Sequence, residues 1–400
     1  MLKRHWAAGL VALIALGAAA LKLFIARTTY GSSDVWYWET YLTMAREVGA
    51  IELYRTEEHF NHPPFTTYAL LGLGWLADRT GLGFPFWLRV PATLADAGNV
   101  FILWRLMRAR FLSAPAGRGG YLSLALLAAA PASVMISGFH GNTDPVVMGF
   151  LLLSVYLWEA RRSAALAGAA LGMAINIKVV PLVFLPALFL YVSGWRRFLY
   201  IAVAGAVVFV ASLPYILQDP AIINQKVLGY GSYYGHWGLS RILQELASEG
   251  AVAAALNRLF LDYGRYVALG LPALAAAVMN GPHLLLGWPR PPLYVQCGVV
   301  ASLFLGVSPG FGPQYLAWVV PWAPGAGALA AGAFYVASGV FLFAVYTYWA
   351  GAFPWYTADA RPYEFEWWSR PIVNLELLTW ASVIVVLGAL VSVAAGRMRR

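Results

Sequence analysis

The sequence has little charge for its length. Aspartate, glutamate, lysine and arginine make up 11% of its 400 residues, whereas about a quarter of a soluble globular domain is charged. Hydrophobic residues make up 60%, which is more apolar side chain than a soluble fold of this length could bury. The shortage of charge therefore excludes a soluble globular protein, and lipid must form part of the solvent around the chain.

Cysteine is almost absent too. The single Cys297 lies in an apolar run, so neither a disulfide nor a cysteine metal site can form within the chain. The net charge of +9 does not indicate nucleic-acid binding, because lysine and arginine occur singly or in pairs between apolar runs rather than along one face.

The apolar runs predict an all-α polytopic membrane protein. The first, Trp6 to Ile25, is long enough to span a bilayer and too long for a signal peptide, so we expect a retained first helix whose Lys22 snorkels outward. Twelve spans are predicted, at residues 6–25, 86–107, 120–138, 145–159, 164–178, 180–194, 198–217, 264–280, 292–308, 312–323, 326–349 and 372–394.

The distribution of lysine and arginine predicts the orientation. With both termini in the cytoplasm, the inner segments contain most of the clustered basic residues and one acid, Glu159. The basic residues of these segments are Lys3, Arg4, Arg105, Arg108, Arg110, Arg118, Arg161, Arg162, Arg196, Arg197, Arg290, Arg397, Arg399 and Arg400. This topology fits an inner (plasma) membrane protein.

The long segments then lie outside. They cover residues 26–85, 218–263 and 351–371, and the first contains Phe65–Trp75, which is too short to span and is predicted to be an interfacial helix. We divide the chain into a module of residues 1–200 and a more variable module of residues 201–400.

The first outer segment opens with GSSDVWYWET. Asp34 at the membrane surface can serve as a general base, and Trp36 can stack on a sugar. The alternative is a helix start, with Ser33 or Asp34 as the cap. Further on, HFNHPPFTTY places His62 before a helix N-terminus that could hold a phosphate, although a simple turn is the alternative.

Polar residues recur at the other outer ends. FHGNTDPVV crowds His140, Asn142 and Asp144 into a tight hairpin, which is either a helix start or a buried polar cluster. Lys178 ends a span and either snorkels to headgroups or faces inward to bind a lipid phosphate. The second outer segment and the mouth of the tenth span supply further candidates: Tyr230, Tyr233, Tyr234, His236, Trp237, Arg241, Gln314 and Tyr315.

At these residues the chain resembles the GT-C superfamily of membrane glycosyltransferases, including glycosyltransferase family 87 and the aminoarabinose and mannosyl transferases. The resemblance covers roughly residues 1–200. It consists of Asp34 after the first span, the HPPFTTYALLG segment, Arg89-x-Pro91, the Gly141–Pro145 turn and Lys178, and QYLAWVVP lies beyond it.

The resemblance implies a GT-C-type fold and transfer of a sugar from a polyprenyl-phosphate donor. Asp34 would deprotonate the acceptor hydroxyl, with inversion at the anomeric carbon, and cations would hold the leaving phosphate. The implied phosphate or lipid ligands are His62 (a lysine in aminoarabinose transferases), Arg89, Lys178 and Arg241. Sugar and acceptor contacts are expected from Trp36, His140, Asp144, Tyr234, His236, Gln314 and Tyr315.

We expect a hexose, mannose by family frequency, and a glycolipid or glycan acceptor. No metal cofactor is expected, because no acid follows Asp34 before Glu39 and hard cations need several oxygen ligands. The competing hypothesis is a transporter or a lipid-linked-sugar flippase without transfer chemistry. Asp96 and Asn99, inside the second span, are the residues that favour it.

Overall fold

The computed structural model describes residues 2–108, 118–229, 234–350 and 369–398. Within these ranges the chain is helical, apart from an isolated β-bridge between Tyr234 and Gly310. The predicted outer segment 351–371 falls largely outside them, as do Tyr230 and Tyr233. For the described part of the chain, the all-α prediction is confirmed.

The α-helices of these ranges are α1 (Leu2–Thr28), α2 (Ser33–Glu47), α3 (Ala50–Thr56), α4 (Phe65–Thr80), α5 (Phe84–Arg108), α6 (Arg118–Ala128), α7 (Pro131–Met135), α8 (Asp144–Arg161), α9 (Ala164–Ile177), α10 (Leu185–Tyr191), α11 (Arg196–Ile216), α12 (Pro220–Ile223), α13 (Gly238–Leu246), α14 (Ala251–Leu286), α15 (Leu293–Val307), α16 (Ala328–Ala350) and α17 (Arg370–Met398). Short 3₁₀ turns occupy Val180–Phe184, Pro313–Trp318 and Ala323–Ala326, and π-helical turns occupy Ile136–His140 and Asn224–Leu228.

Among the described residues, six helical stretches are long and apolar enough to cross a membrane. They are Trp6–Thr28, Gly119–His140, Arg196–Ile216, Ala251–Leu286, Ala328–Ala350 and Arg370–Met398. Other predicted spans form shorter apolar helices, such as Ala164–Ile177 and Leu293–Val307. The predicted count of twelve spans is not confirmed.

The predicted tenth span, residues 312–323, is wrong. This segment forms the 3₁₀ turn Pro313–Trp318 and then continues without a long helix. Prolines at 313 and 321 interrupt backbone hydrogen bonding, and Leu316 and Val319 are fully buried. The run is apolar because it crosses the protein core, a case that hydropathy alone does not separate from a span.

The prediction that Lys22 snorkels outward is also wrong. Its side chain is 4% exposed and turns inward, where Nζ lies 2.6 Å from the Asp96 carboxylate and 2.6 Å from the Ser133 hydroxyl. A buried carboxylate on the neighbouring helix α5 offers a stronger partner than a distant headgroup region.

The first outer segment is a folded layer with its own small core. Helices α2 and α3 bury Trp38, Leu53 and Tyr54, which pack with Phe60 and with Tyr215 at the end of α11. Helix α4, predicted from Phe65 onward, contacts α2, α5 and α9. This layer covers the end of the bundle where α1 and α9 finish and α8 begins.

Arg89 joins several elements at that end. It is fully buried on α5 and donates to the backbone oxygens of Pro85, Ala26, Thr29 and Gly138, and to the Thr29 hydroxyl. These bonds use all five guanidinium N–H groups. The end of α1 and the π-helical turn Ile136–His140 are thereby held against α5.

Candidate active site

Asp34 lies in the first turn of α2. The Ser32 hydroxyl accepts a hydrogen bond from the Asp34 backbone N–H (3.2 Å) and donates one to the carbonyl of His140 (2.6 Å). The predicted helix start is therefore confirmed, with the cap at Ser32 rather than at Ser33 or Asp34. The cap also joins α2 to the π-helical turn that ends at His140.

Two side chains hold the Asp34 carboxylate. Asn142 Nδ2 donates to Asp34 Oδ2 at 2.6 Å, and His140 Nε2 lies 3.0 Å from the same oxygen. Oδ1 receives no hydrogen bond from the residues that the structure describes. The Tyr346 hydroxyl lies 3.0 Å from His140 Nδ1, so both ring nitrogens of His140 have a polar neighbour.

These contacts keep Asp34 ionised. Burial by itself raises the pKa of the carboxyl, but His140, Asn142 and the nearby Lys178 together lower the pKa below that of an ordinary aspartate. The side chain remains 28% exposed. The carboxylate is therefore charged, held in place and partly exposed. Protein side chains bond to Oδ2, and Oδ1 receives no hydrogen bond from the described residues.

Lys178 supplies the adjacent positive charge. Its Nζ donates to both carboxylate oxygens of Asp144, at 2.9 and 3.0 Å, and lies 5.0 Å from the centre of the Tyr315 ring and 5.8 Å from that of Trp318. Trp318 Nε1 also donates to Asp144. Lys178 thus faces inward, and the hairpin of Asp144 is both a helix start and a buried polar cluster.

His62 lies beside this pair, and its surroundings disfavour the charged imidazolium. Its ring packs against Trp38 with centroids 4.5 Å apart, and its Nδ1 is buried without a hydrogen-bond partner among the described residues. Burial and the neighbouring Lys178 lower the pKa of His62 to about 3. The phosphate contact of His62 stays a prediction, and a neutral imidazole there could donate a hydrogen bond to it.

Two glycines let the loops converge on Val35. Gly141 has φ of +78°, and a Cβ there would lie 2.4 Å from Val35 Cγ2; Gly31 has φ of +110°, with a Cβ 2.6 Å from the same atom. Both conformations and both close approaches favour glycine. They allow His140 and Asn142 to reach Asp34.

Two of the expected phosphate ligands are engaged elsewhere. Arg89 gives all five of its N–H groups to oxygens of the protein, so it would have to exchange one of these bonds to bind a phosphate. Arg241, on α13, pairs with Glu245 at 3.0 Å. The structure places no described contact between Arg241 and Asp34 or Lys178, so of the four expected ligands it brings Lys178 and His62 to the carboxylate.

The second outer segment reaches the site through aromatic rings. Trp237 stacks on Phe311 with centroids 4.0 Å apart, Phe311 meets Tyr315 edge-on, and Tyr315 stacks on Trp318 at 4.1 Å. Tyr234 belongs to the same outer segment, and its hydroxyl donates to the backbone and side-chain oxygens of Asn257.

The remaining expected sugar contacts differ in exposure. Trp36 is 41% exposed, which suits a stacking surface, whereas His140 is 1% exposed. His236 and Gln314 are partly exposed, and burial next to Arg241 lowers the pKa of His236. The structure places His140 against Asp34, and all of the expected sugar contacts stay predictions.

Some site residues escaped the sequence-based prediction. Asn142 stood in the noted hairpin but was not among the expected ligands, and its position two residues after His140 was the available signal. Trp38, Trp318 and Tyr346 carried none, because apolar aromatic residues recur throughout this sequence. No group of three or more His, Cys, Asp or Glu side chains suited to a metal occurs among the described residues, and metal independence stays a prediction.

Comparison with known proteins gives a family match. The pattern of "Glycosyltransferase family 87" matches residues 60–309. No curated protein matches the sequence significantly. Two solved structures of ArnT from Cupriavidus metallidurans are similar, one bound to undecaprenyl phosphate (17% identity, TM-score 0.48) and one in the apo state (18% identity, TM-score 0.49). The two matches cover 97% and 98% of this chain, in that order, and 78% of the ArnT chain in each case.

Proposed function

Because the chain belongs to glycosyltransferase family 87, we propose that it moves a hexose from a polyprenyl-phosphate donor to a hydroxyl group of a glycolipid or glycan acceptor. The reaction takes place at the extracytoplasmic face of the inner membrane, with both termini in the cytoplasm. Mannose is the sugar we expect. The ionised Asp34 carboxylate beside Lys178 is the observation that carries this proposal.

The proposed step needs one base and one cation. The acceptor hydroxyl gives its proton to Asp34 as its oxygen bonds to the anomeric carbon of the donor. The bond between that carbon and the phosphate oxygen breaks, and its electron pair leaves with the polyprenyl phosphate. Attack from the face opposite the phosphate inverts the anomeric centre.

The lowered pKa makes Asp34 a weak base, but the proposed transfer does not need a strong one. Phosphate is a good leaving group, so the acceptor proton needs to be removed only as the new bond forms. His140 and Asn142 fix one carboxylate oxygen and leave Oδ1 to accept the proton. Fixing the base in advance removes much of the entropic cost of the step.

Lys178 stabilises the departing charge. Two of its three N–H groups point at Asp144, and the rings of Tyr315 and Trp318 flank it. The third N–H is available to a phosphate oxygen. A single phosphate monoester of a lipid matches one such cation, and charge-assisted contacts of this kind are about twice as strong as neutral hydrogen bonds.

The direct test is sugar transfer by purified protein from synthetic polyprenyl-phosphate sugars, comparing wild type with Asp34→Asn. The variant keeps the shape of the side chain but loses its basicity, and we expect kcat to fall by roughly 10²- to 10⁴-fold. Glu47→Gln is the matched control, because it makes the same chemical change at an exposed position of α2.

Other outcomes separate the rival functions. Equal rates for Asp34→Asn and wild type would contradict the proposal. Uptake or flipping of the lipid-linked sugar in proteoliposomes without transfer would favour a transporter or flippase. Asp96, one of the two residues that suggested transport, forms a buried ion pair with Lys22 through its Oδ2 atom.

We also propose that the transfer needs no metal ion. With Lys178 as the charge-stabilising group, chelation by EDTA should leave the transfer rate unchanged. A rate that EDTA abolished and added Mg²⁺ or Mn²⁺ restored would show that a divalent ion, rather than Lys178 alone, neutralises the phosphate.

A further inference from the structure

We propose that the buried ion pair of Lys22 and Asp96 is a positioning device for catalysis, which acts on Asp34 through the π-helical turn Ile136–His140. This inference rests on the proposed function, since it names residues that act on the same base from inside the bundle.

The pair has dense, directional bonding. Lys22 Nζ on α1 lies 2.6 Å from Asp96 Oδ2 on α5, and their side chains are 4% and 11% exposed. The Ser133 hydroxyl accepts from Lys22 at 2.6 Å and donates to Asp96 at 2.7 Å. Ser137 adds a third donor to the same carboxylate oxygen at 2.6 Å.

Ser137 connects this pair to the turn. It is the second residue of Ile136–His140, and its neighbour Gly138 packs directly on α1, where a Cβ would lie 3.1 Å from the Cα of Lys22. The Gly138 carbonyl accepts from Arg89. Helix α5 therefore bonds to the turn through two charged residues, Asp96 and Arg89, and α1 packs against the turn at Lys22.

The same turn delivers His140 to Asp34. Its last residue presents Nε2 to the carboxylate at 3.0 Å and its carbonyl to the Ser32 cap at 2.6 Å. A π-helical turn places its last side chain about one residue away from where a continuous α-helix would place it. Loss of the π-helical geometry would withdraw His140 from Asp34.

Stability alone does not explain an ion pair here. Desolvation of two charges offsets most of their attraction, and apolar residues of similar volume commonly give equal or greater stability. Ionisable residues inside a membrane bundle are costly. An apolar side chain in place of Asp96 would give the Ser137 hydroxyl no acceptor. The pair therefore serves to fix the geometry of the π-helical turn.

The test removes the pair without leaving a lone charge. The double variant Lys22→Met/Asp96→Leu should keep a Tm within a few degrees of wild type. Its kcat should fall at least tenfold with KM unchanged, because the substrate contacts persist while the base is misplaced. Amide hydrogen exchange at residues 136–141 should become faster, a readout that does not depend on activity.

Ser137→Ala covers the case in which the double variant does not fold. Ser154→Ala is its matched control, since Ser154 is also a buried, hydrogen-bonded serine but lies on α8 against Ala167 and Tyr200. We expect kcat to fall several-fold for Ser137→Ala and to stay unchanged for Ser154→Ala.

Full kcat in either the folded double variant or Ser137→Ala would overturn the inference. If Asp34→Asn abolishes transfer while these variants keep the wild-type rate, the inference fails and the proposed function stands. If Asp34→Asn has no effect, the proposed function fails first.

Discussion

At the scale of single residues, the site depends on which oxygen of Asp34 is occupied. Both hydrogen bonds to its side chain fall on Oδ2, and His140 is itself held by the Tyr346 hydroxyl. The hydroxyl contact holds the His140 ring in the orientation that brings Nε2 to Asp34. Tyr346 therefore acts on the base through one intervening imidazole.

Tyr346→Phe should expose this dependence. The variant keeps the ring and removes the hydroxyl, so we expect kcat to fall by about tenfold as the His140 ring loses one of the two contacts that orient it. Tyr335→Phe is the control on the same helix, because its hydroxyl donates to the Val320 carbonyl. Both should lose about 1 kcal/mol of stability, measured by thermal unfolding, and a drop in kcat of equal size in both would contradict the relay.

His62 gives a prediction for stability against pH. Its pKa in the folded protein, about 3, lies below the ordinary value of 6.5, so the unfolded chain binds the proton more readily. Its contribution is fully present above pH 6.5 and declines as pH falls toward 3. By linkage the loss is about 2 kcal/mol at pH 5.

His62→Gln should flatten the decline of Tm between pH 7 and pH 5. His59→Gln, at an exposed histidine of the same segment, serves as control and should retain the wild-type decline. An unchanged pH dependence in His62→Gln would mean that His62 is protonated in the folded protein.

At the scale of elements, the π-helical turn and the hairpin after it position the site. Gly141 is needed there for two reasons, its φ of +78° and the lack of space beside Val35. Gly81 shares the first condition, with φ of +68°, but a Cβ there would meet nothing within 4 Å. The two glycines separate backbone strain from crowding.

Gly81→Ala should cost about 1 kcal/mol, the price of the left-handed conformation alone. Gly141→Ala should cost about 2 to 4 kcal/mol, because overpacking is added, and it should lower transfer activity by moving His140 and Asn142. Denaturant unfolding and a transfer assay measure the two effects. Equal costs at the two positions would show that the hairpin can shift away from Val35.

The sequence predicted the elements better than the partners of their polar side chains. Asp34 at a helix start, the helix from Phe65 and the start of α8 at Asp144 follow local rules of capping and proline placement. Whether Lys22 and Arg89 turn toward lipid, solvent or protein depends on residues far away in the chain. No local pattern specifies the contact between Asp96 and Lys22, or that between Tyr346 and His140.

At the scale of the whole molecule, the resemblance to membrane glycosyltransferases is confirmed by the family match, and the helices fit an integral membrane protein. The side on which the site lies stays a prediction based on the distribution of basic residues. The proposed outer and inner surfaces each include exposed positions, such as Glu47 on α2 and Arg196 at the start of α11.

Cysteine labelling tests this orientation. In a Cys297→Ala background, a membrane-impermeant maleimide should label Glu47→Cys in cells with an intact inner membrane. It should label Arg196→Cys only after the membrane is disrupted. The opposite pattern would place Asp34 in the cytoplasm and exclude the proposed face of reaction.

The central claim is that Asp34 takes the proton of the attacking hydroxyl while Lys178 binds the phosphate that leaves the same anomeric carbon. A structure with a non-reactive polyprenyl-phosphate sugar analogue measures this most directly. We predict a phosphate oxygen within about 4 Å of Lys178 Nζ and the anomeric carbon on the side of Asp34 Oδ1, with room for an acceptor hydroxyl between them. A phosphate bound near Arg241, or a sugar remote from Asp34, would contradict the account.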